Sequence, residues 1–189
     1  MARLKVLDKY MKNNERQIEI ILTGGTIDSA WSGISDTALV NTHSVIPEYF
    51  KKLIIYPEIK FNEICMKDSR QLNQQDILKI LESIEKSEAD KIIITHGTYT
   101  MQDTARYIEV NLKRKGQTII FTGSMVPLEG FYPTDATFNL GFAISKAQEL
   151  IPGIYLCMNG ETFTPKEVAK NLSEGRFYSI FKLNNKIIQ

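Results

Sequence analysis

The sequence predicts an α/β protein of three layers, αβα, in which a mostly parallel sheet is covered on both faces by helices. Three observations carry this. Strand-like and helix-like segments alternate along the chain. The strand-like runs, such as Ile18-Glu19-Ile20-Ile21-Leu22 and Ile92-Ile93-Ile94, are nearly continuous and rich in β-branched residues, as strands buried on both faces are. Each run ends in a short polar turn rich in Gly, Thr, Ser or Asn.

In order, strand 17–23 comes first. The stretch 28–44 is rich in Ser, Asp, Thr, Gly and Asn and has no clear period, which predicts a long mobile loop of the kind that serves as a lid. A short helix follows Pro47, and a strand near 60–66 leads into Lys67-Asp68-Ser69-Arg70. Asn73 offers a helix N-cap, with Asp76 three residues on in a near capping box. Ile77, Leu78, Ile80, Leu81 and Ile84 then form an apolar face at helical spacing. Strand 91–95 precedes Thr98, and Met101, Ala105, Ile108 and Leu112 give the next helix its buried stripe. Lys113-Arg114-Lys115 before Gly116 suits a helix end, where cations complement the last carbonyls, better than a phosphate-binding patch. Strand 117–122 ends in Thr122-Gly123-Ser124-Met125. Helix 134–149, strand 153–158, the turn Met158-Asn159-Gly160-Glu161 and a β-paired tail over 177–188 complete the alternation.

A chain of 189 residues suits one domain, here 1–189. With a formal net charge of +1 it has no electrostatic footprint for nucleic acid or a membrane surface. The N-terminus lacks an apolar signal core, and no apolar run is long enough to span a bilayer. Cys65 and Cys157 are too few and too far apart for a disulfide framework or metal cluster. These features make the cytoplasm the expected compartment and buried thiols the expected state of both cysteines. No metal or cofactor is expected, since no His/Cys/Asp/Glu cluster has ligand spacing.

In parallel α/β sheets, ligands bind outside the carboxyl ends of the strands. The turns at 23–26, 67–69, 95–98, 122–125 and 158–161 should therefore gather at one edge. Thr26 follows Gly24-Gly25; its ordinary role would be capping, and its chemical role a nucleophile. Thr98 is a second capping candidate, and backbone N–H groups at the helix start beyond it suit an oxyanion. Gly-Gly-Thr lacks the spacing of the known phosphate-cradle motifs. His96, between strand and glycine, suits a structural hydrogen bond better than a base, and His43 has no evident partner. Lys170 is the best remaining base if burial lowers its pKa; otherwise it is a solvated helical charge.

Taken together, several motifs in order resemble the bacterial-type L-asparaginase family: Thr23–Ile27, Thr95–Thr98, Thr100-Met101, Thr122–Met125 with Pro127, Asp135 to Leu140, Met158-Asn159-Gly160 and Val168-Ala169-Lys170-Asn171. The resemblance spans residues 17–177 and implies that family's N-terminal-domain fold. It implies hydrolysis of the side-chain amide of asparagine, or a related small amide, through an acyl-enzyme, without cofactor or metal. Thr26 matches the nucleophile, Thr98 the second catalytic threonine and Lys170 its supporting lysine. Ser69 matches the residue that binds the α-carboxylate, and Gly25, Asp68, Gly97, Tyr99 and Ser124 fall on the substrate-binding surface. Homo-oligomeric assembly is also implied.

Three departures stand out. Tyr99 occupies the position of an aspartate that binds the substrate's α-ammonium, and a phenol cannot supply that charge at pH 7. The family's smaller C-terminal domain, which lends an acidic residue to a neighbouring site, is expected to be absent. The loop tyrosine that assists the first threonine has no clear match within 28–44, with Trp31 and Ser35 as stand-ins. A charge-assisted hydrogen bond contributes about 1.5–3 kcal/mol, so losing two would weaken asparagine recognition by orders of magnitude. The expected outcomes are weak asparaginase activity, an amide substrate without a free α-amine, or no catalysis. The alternatives are a non-catalytic module that holds asparagine, aspartate or a similar metabolite, and a glutaminase-type subunit feeding ammonia to a partner enzyme.

Overall fold

The structure is a computed structural model and describes residues 17–182. Its centre is a six-stranded sheet ordered β4-β1-β5-β6-β7-β8. The strands are β1 Gln17–Gly24, β4 Glu58–Lys67, β5 Lys91–Thr95, β6 Thr118–Thr122, β7 Gly153–Met158 and β8 Glu161–Phe163. All neighbouring pairs from β4 to β7 are parallel, and only β8 returns antiparallel, on β7.

The β-branched runs divide their residues between two cores at period two. Ile21, Ile92, Ile94, Ile119 and Phe121 face one core. Ile18, Ile20, Leu22, Ile93 and Ile120 face the other. The first core is closed by Ile80 and Ile84 of α2 (Gln74–Lys86) and by Met101, Ala105 and Ile108 of α3 (Met101–Asn111). The second is closed by Ile46 and Phe50 of α1 (Ile46–Lys51) and by Ala136, Leu140, Ala143 and Ala147 of α4 (Ala136–Glu149). The expected three-layer αβα architecture is therefore present. α2 begins on a full capping box: Asn73 Oδ1 accepts from the Asp76 amide at 3.0 Å, and Asp76 Oδ2 accepts from the Asn73 amide at 3.0 Å. Beyond α3, Lys115 donates to the Leu112 carbonyl at 3.1 Å, as the helix-end pattern predicts.

Four expectations need correction. Residues 28–44 are not a structureless loop. They hold an antiparallel hairpin of β2 (Ser29–Ser32) and β3 (Thr37–Val40). Most of this hairpin is exposed, so no buried alternation marks it in sequence. His43 has a partner, Glu63, 3.0 Å from its Nδ1. Leu78 lies outside the buried face of α2, at 43% exposure. Cys65 is half-buried rather than buried, whereas Cys157 is buried, and both are free thiols. Of the tail, β10 (Arg176–Ser179) pairs antiparallel with β9 (Val168–Asn171); residues 183–188 lie outside the described residues.

The carboxyl ends of the strands are stitched together. Thr23 Oγ1 donates to the Thr95 carbonyl at 2.7 Å, and Thr122 Oγ1 to the Cys157 carbonyl at 2.9 Å. The Gly25 amide donates to the Lys67 carbonyl at 2.9 Å and the His96 amide to the Thr122 carbonyl at 2.8 Å. The turns then meet backbone to backbone. A Cβ on Gly25 would lie 2.4 Å from the Gly97 nitrogen, and one on Gly123 2.4 Å from the His96 oxygen. Gly25 also has φ +81°, where an L side chain is strained. Gly25→Ala is therefore expected to lower unfolding stability by more than about 2 kcal/mol. Gly33→Ala, at an open position with nothing within 4 Å, should change it by less than about 0.5 kcal/mol. Urea denaturation of both variants decides this.

Candidate active site

Thr26 opens a single 3-10 turn, Thr26–Asp28, immediately beyond the Gly25–Gly97 contact. The turn's N-cap is Gly25, so no side chain caps it. Thr26 is half-buried. Behind it, Asp28 is fully buried and ties the hairpin's exit to the turn. Its carboxylate accepts from Ser44 Oγ at 2.9 Å and from the Val45 amide at 2.9 Å. Burial raises the Asp28 pKa from 3.8 to about 6, against the lowering effect of those hydrogen bonds.

Thr98 stands one residue beyond the same glycine contact, on the Thr95-His96-Gly97-Thr98 turn, and is 6% exposed. Its Oγ1 accepts from Lys170 Nζ at 2.7 Å and donates to the Met125 sulfur at 3.6 Å. Lys170 lies on strand β9, not on a helix, and is half-buried. Desolvation pushes its pKa below the ordinary lysine value, and the Phe177 ring, 5.9 Å from Nζ, covers it. β9 is held to α3 by Arg106, which donates to the carbonyls of Pro165, at 2.9 Å, and Val168. His96 is fully buried. Its Nδ1 lies 2.8 Å from the Gly97 carbonyl, and burial pulls its pKa down to about 4. It is a neutral structural residue at pH 7.

Ser69 is buried on the other side of Gly97. A Cβ on Gly97 would come within 2.7 Å of Ser69 Oγ, and Thr100 Oγ1 donates to the Ser69 carbonyl at 2.9 Å. Asp68 caps the turn Ser69–Gln71 by accepting from the Arg70 amide at 2.8 Å. Its carboxylate also accepts from Arg70 Nε at 3.0 Å and Nη2 at 2.8 Å, which holds its pKa below the usual carboxylate range. The Arg70 guanidinium lies 5.7 Å from the centroid of the exposed Tyr99 ring. The structure thus brings the turns of Gly25 and Thr26, Asp68 and Ser69, and Gly97, Thr98 and Tyr99 into contact, with Lys170 reaching in from β9. Ser124 does not present its hydroxyl to this surface: it is 1% exposed and donates to the Val126 carbonyl within its own turn. Trp31, on β2, is 55% exposed.

The sequence assigned no role to four supporting residues, although Met125 and Asp135 lie within its motifs. Asp135 is the hub of the far side. It accepts from the Met125 amide at 3.0 Å, the Val126 amide at 2.9 Å and Asn139 Nδ2 at 3.1 Å. Asp28, Arg106 and Met125 are the others. Each acts through partners distant in sequence, so no local spacing marks it. A groove of about 550 Å³ lined by Met125, Asp135, Asn159 and Arg176 adjoins Thr98 through Met125. Another cleft, of about 470 Å³, lies at the opposite end of the sheet around Glu19, Asn62 and Ser83. Among the described residues no group of three or more His, Cys, Asp or Glu side chains is placed to hold a metal ion.

A mostly parallel sheet between two helix layers thus brings two threonine turns at its strand ends together with a desolvated lysine. The model of the family's N-terminal domain, "Asparaginase, N-terminal", matches residues 17–182, and the chain belongs to the asparaginase family. It is 27% identical over 158 residues to an L-asparaginase of Thermococcus kodakarensis, covering 82% of this chain and 48% of that protein. To a glutaminase-asparaginase of Pseudomonas fluorescens biotype A it is 25% identical over 173 residues, 86% of this chain and 47% of that one. The solved structure of the thermostable L-asparaginase from Thermococcus kodakarensis superposes with a TM-score of 0.74 at 26% identity, over 86% of this chain and 51% of that one. The chain spans about half the length of the curated relatives it matches.

The buried Asp28 makes a testable signature. The folded state keeps its proton up to about pH 6, whereas the unfolded chain releases it near 3.8. Between those values the native state binds more protons, so this group's contribution to stability falls as pH rises. Asp28→Asn, which preserves the hydrogen-bonding shape, should remove a decline of on the order of 3 kcal/mol between pH 4 and 7. Urea unfolding of both proteins across that range measures the difference.

Proposed function

We propose that this chain hydrolyses the carboxamide of a small substrate to the carboxylic acid and ammonia, with Thr26 as nucleophile. The observation that carries this is the Lys170–Thr98 contact of 2.7 Å on a buried threonine. As an ammonium, Lys170 donates to Thr98. Once neutral, which its desolvation favours, its lone pair faces the Thr98 proton and makes that hydroxyl a base. Thr26 Oγ attacks the amide carbon, and its proton passes to the Thr98–Lys170 pair. The oxyanion faces the amides of the strand-end turns. Collapse of the tetrahedral intermediate expels ammonia, which takes a proton from the pair as it leaves. Water, deprotonated by the same pair, then cleaves the threonine ester and restores Thr26.

The names of the relatives, an L-asparaginase and a glutaminase-asparaginase, support a small amide as substrate. In the same reading the chain works as a homo-oligomer in the cytoplasm, where its two free cysteines stay reduced. Sedimentation equilibrium reads the assembly.

Ammonia release from a panel of small amides tests the reaction. Thr26→Ala should lower kcat at least about 10³-fold, and Lys170→Met about 10²–10⁴-fold. The rate should rise with pH as Lys170 loses its proton, and that limb should vanish in Lys170→Met. Unchanged turnover in either variant, or no turnover of any amide, would contradict the reaction.

A further inference from the structure

The rim beside Ser69 and Thr98 is cationic. Arg70 follows Ser69 and Tyr99 follows Thr98, and the two turns face each other across the Gly97–Ser69 contact and the Thr100–Ser69 hydrogen bond of 2.9 Å. Over this seam the Arg70 guanidinium stacks 5.7 Å from the Tyr99 ring centroid. Asp68 is the carboxylate at this rim, and Arg70 already engages it through Nε and Nη2. Its charge is therefore matched. Tyr99 contributes an uncharged phenol. The α3 N-terminus, directed at the Ser69 turn through Thr100, adds the positive end of a helix dipole, and Lys170 adds a second cationic group beside Thr98.

An ammonium brought to this rim meets the formally neutral Arg70–Asp68 pair, the Lys170 ammonium and a helix N-terminus, and the sum is positive. A carboxylate meets favourable charge from the same groups. Arg70 is the group able to hold it, since its side chain is 65% exposed and its Nη1 lies outside the Nε–Nη2 fork that engages Asp68.

We propose that the substrate is an amide that carries a carboxylate and no free ammonium, such as the monoamide of a dicarboxylic acid or an N-acylated asparagine, and that Arg70 sets this preference. The proposal rests on the amidohydrolase reading and narrows its substrate. Arg70 would act by orienting the substrate's carboxylate, so that its amide end reaches Thr26. Tyr99 would act by packing under the guanidinium and withholding negative charge.

Binding of the two candidate product acids tests this without requiring turnover. Titration calorimetry at neutral pH should show succinate binding at least about tenfold more tightly than L-aspartate. Arg70→Gln should weaken succinate about tenfold and narrow the gap, Arg70→Lys should keep the ranking, and Tyr99→Asp should shift preference toward aspartate. Thermal melts confirm that each variant is folded. Equal or tighter binding of aspartate by the unmodified protein, binding of neither acid, or an unchanged preference in Arg70→Gln would overturn the proposal. Turnover of succinamate, asparagine and propanamide separates this outcome from that of the reaction itself. Faster hydrolysis of asparagine than of succinamate leaves the reaction standing and removes the substrate proposal. No turnover of any of the three removes the reaction, and the two acids still decide the charge preference of the rim.

Discussion

The site depends on backbone touching backbone at the carboxyl end of the sheet. Gly25 packs on the Gly97 backbone, Gly123 on the His96 carbonyl and Gly97 on the Ser69 side chain, each so closely that a Cβ on the glycine would come within 2.7 Å of its neighbour. Side chains are missing at these points because the turns have no room for them. That lack of bulk lets the turns of four strands converge. The distance between the Thr26 and Thr98 turns is set by these contacts and by the two buried isoleucine-rich layers that fix the strand registers. A close-packed interior transmits small displacements, so the geometry at the rim inherits the rigidity of the sheet.

On this frame, polar residues far apart in sequence hold each functional group. Arg106 on α3 clasps the β9 segment that carries Lys170, and Glu167 braces the same segment by accepting from the Thr164 amide and from Ser179 Oγ. Asp135 gathers the amides of the Met125 turn. Asp28 does the same for the chain leaving the hairpin, at the cost of burying a carboxyl that resists ionisation. The two lysines of this end shift in opposite directions, one by burial and one by a hydrogen bond. Lys170, covered by Phe177, is pushed toward its neutral form. Lys67 is paired with Asp76 at 2.7 Å, and that hydrogen bond raises its pKa instead.

Much of this was legible in the sequence. The β-branched runs, the Asn73–Asp76 capping box and the Met101, Ala105, Ile108 and Leu112 stripe depend on neighbours within one turn or strand, so spacing reveals them. The convergence of the polar turns follows from strand parallelism alone. Features made by tertiary contact were hidden. The β2–β3 hairpin is exposed and leaves no burial period. The His43–Glu63 and Asp28–Ser44 pairs join segments that no local pattern links. Lys170 could be read as a helical surface charge because nothing in sequence shows that Phe177 would pair opposite it. Ser124 resembled a binding residue, yet its hydroxyl closes its own turn.

The threonine–lysine pair sits beside a rim formed by Arg70, paired with Asp68, and the uncharged Tyr99 ring. In the proposed reaction, attack on a carbonyl and recognition of the substrate's far end are separable. The attack is the central claim, and it is tested most directly by trapping the covalent intermediate. An activated aryl ester of a small dicarboxylic acid, mixed with the protein and quenched in acid, should release one aryl group per chain in a burst. Peptide mass mapping should then place the acyl group on Thr26. An acyl group on Thr98 or elsewhere, or a quenched protein without any acylated peptide, would contradict the account.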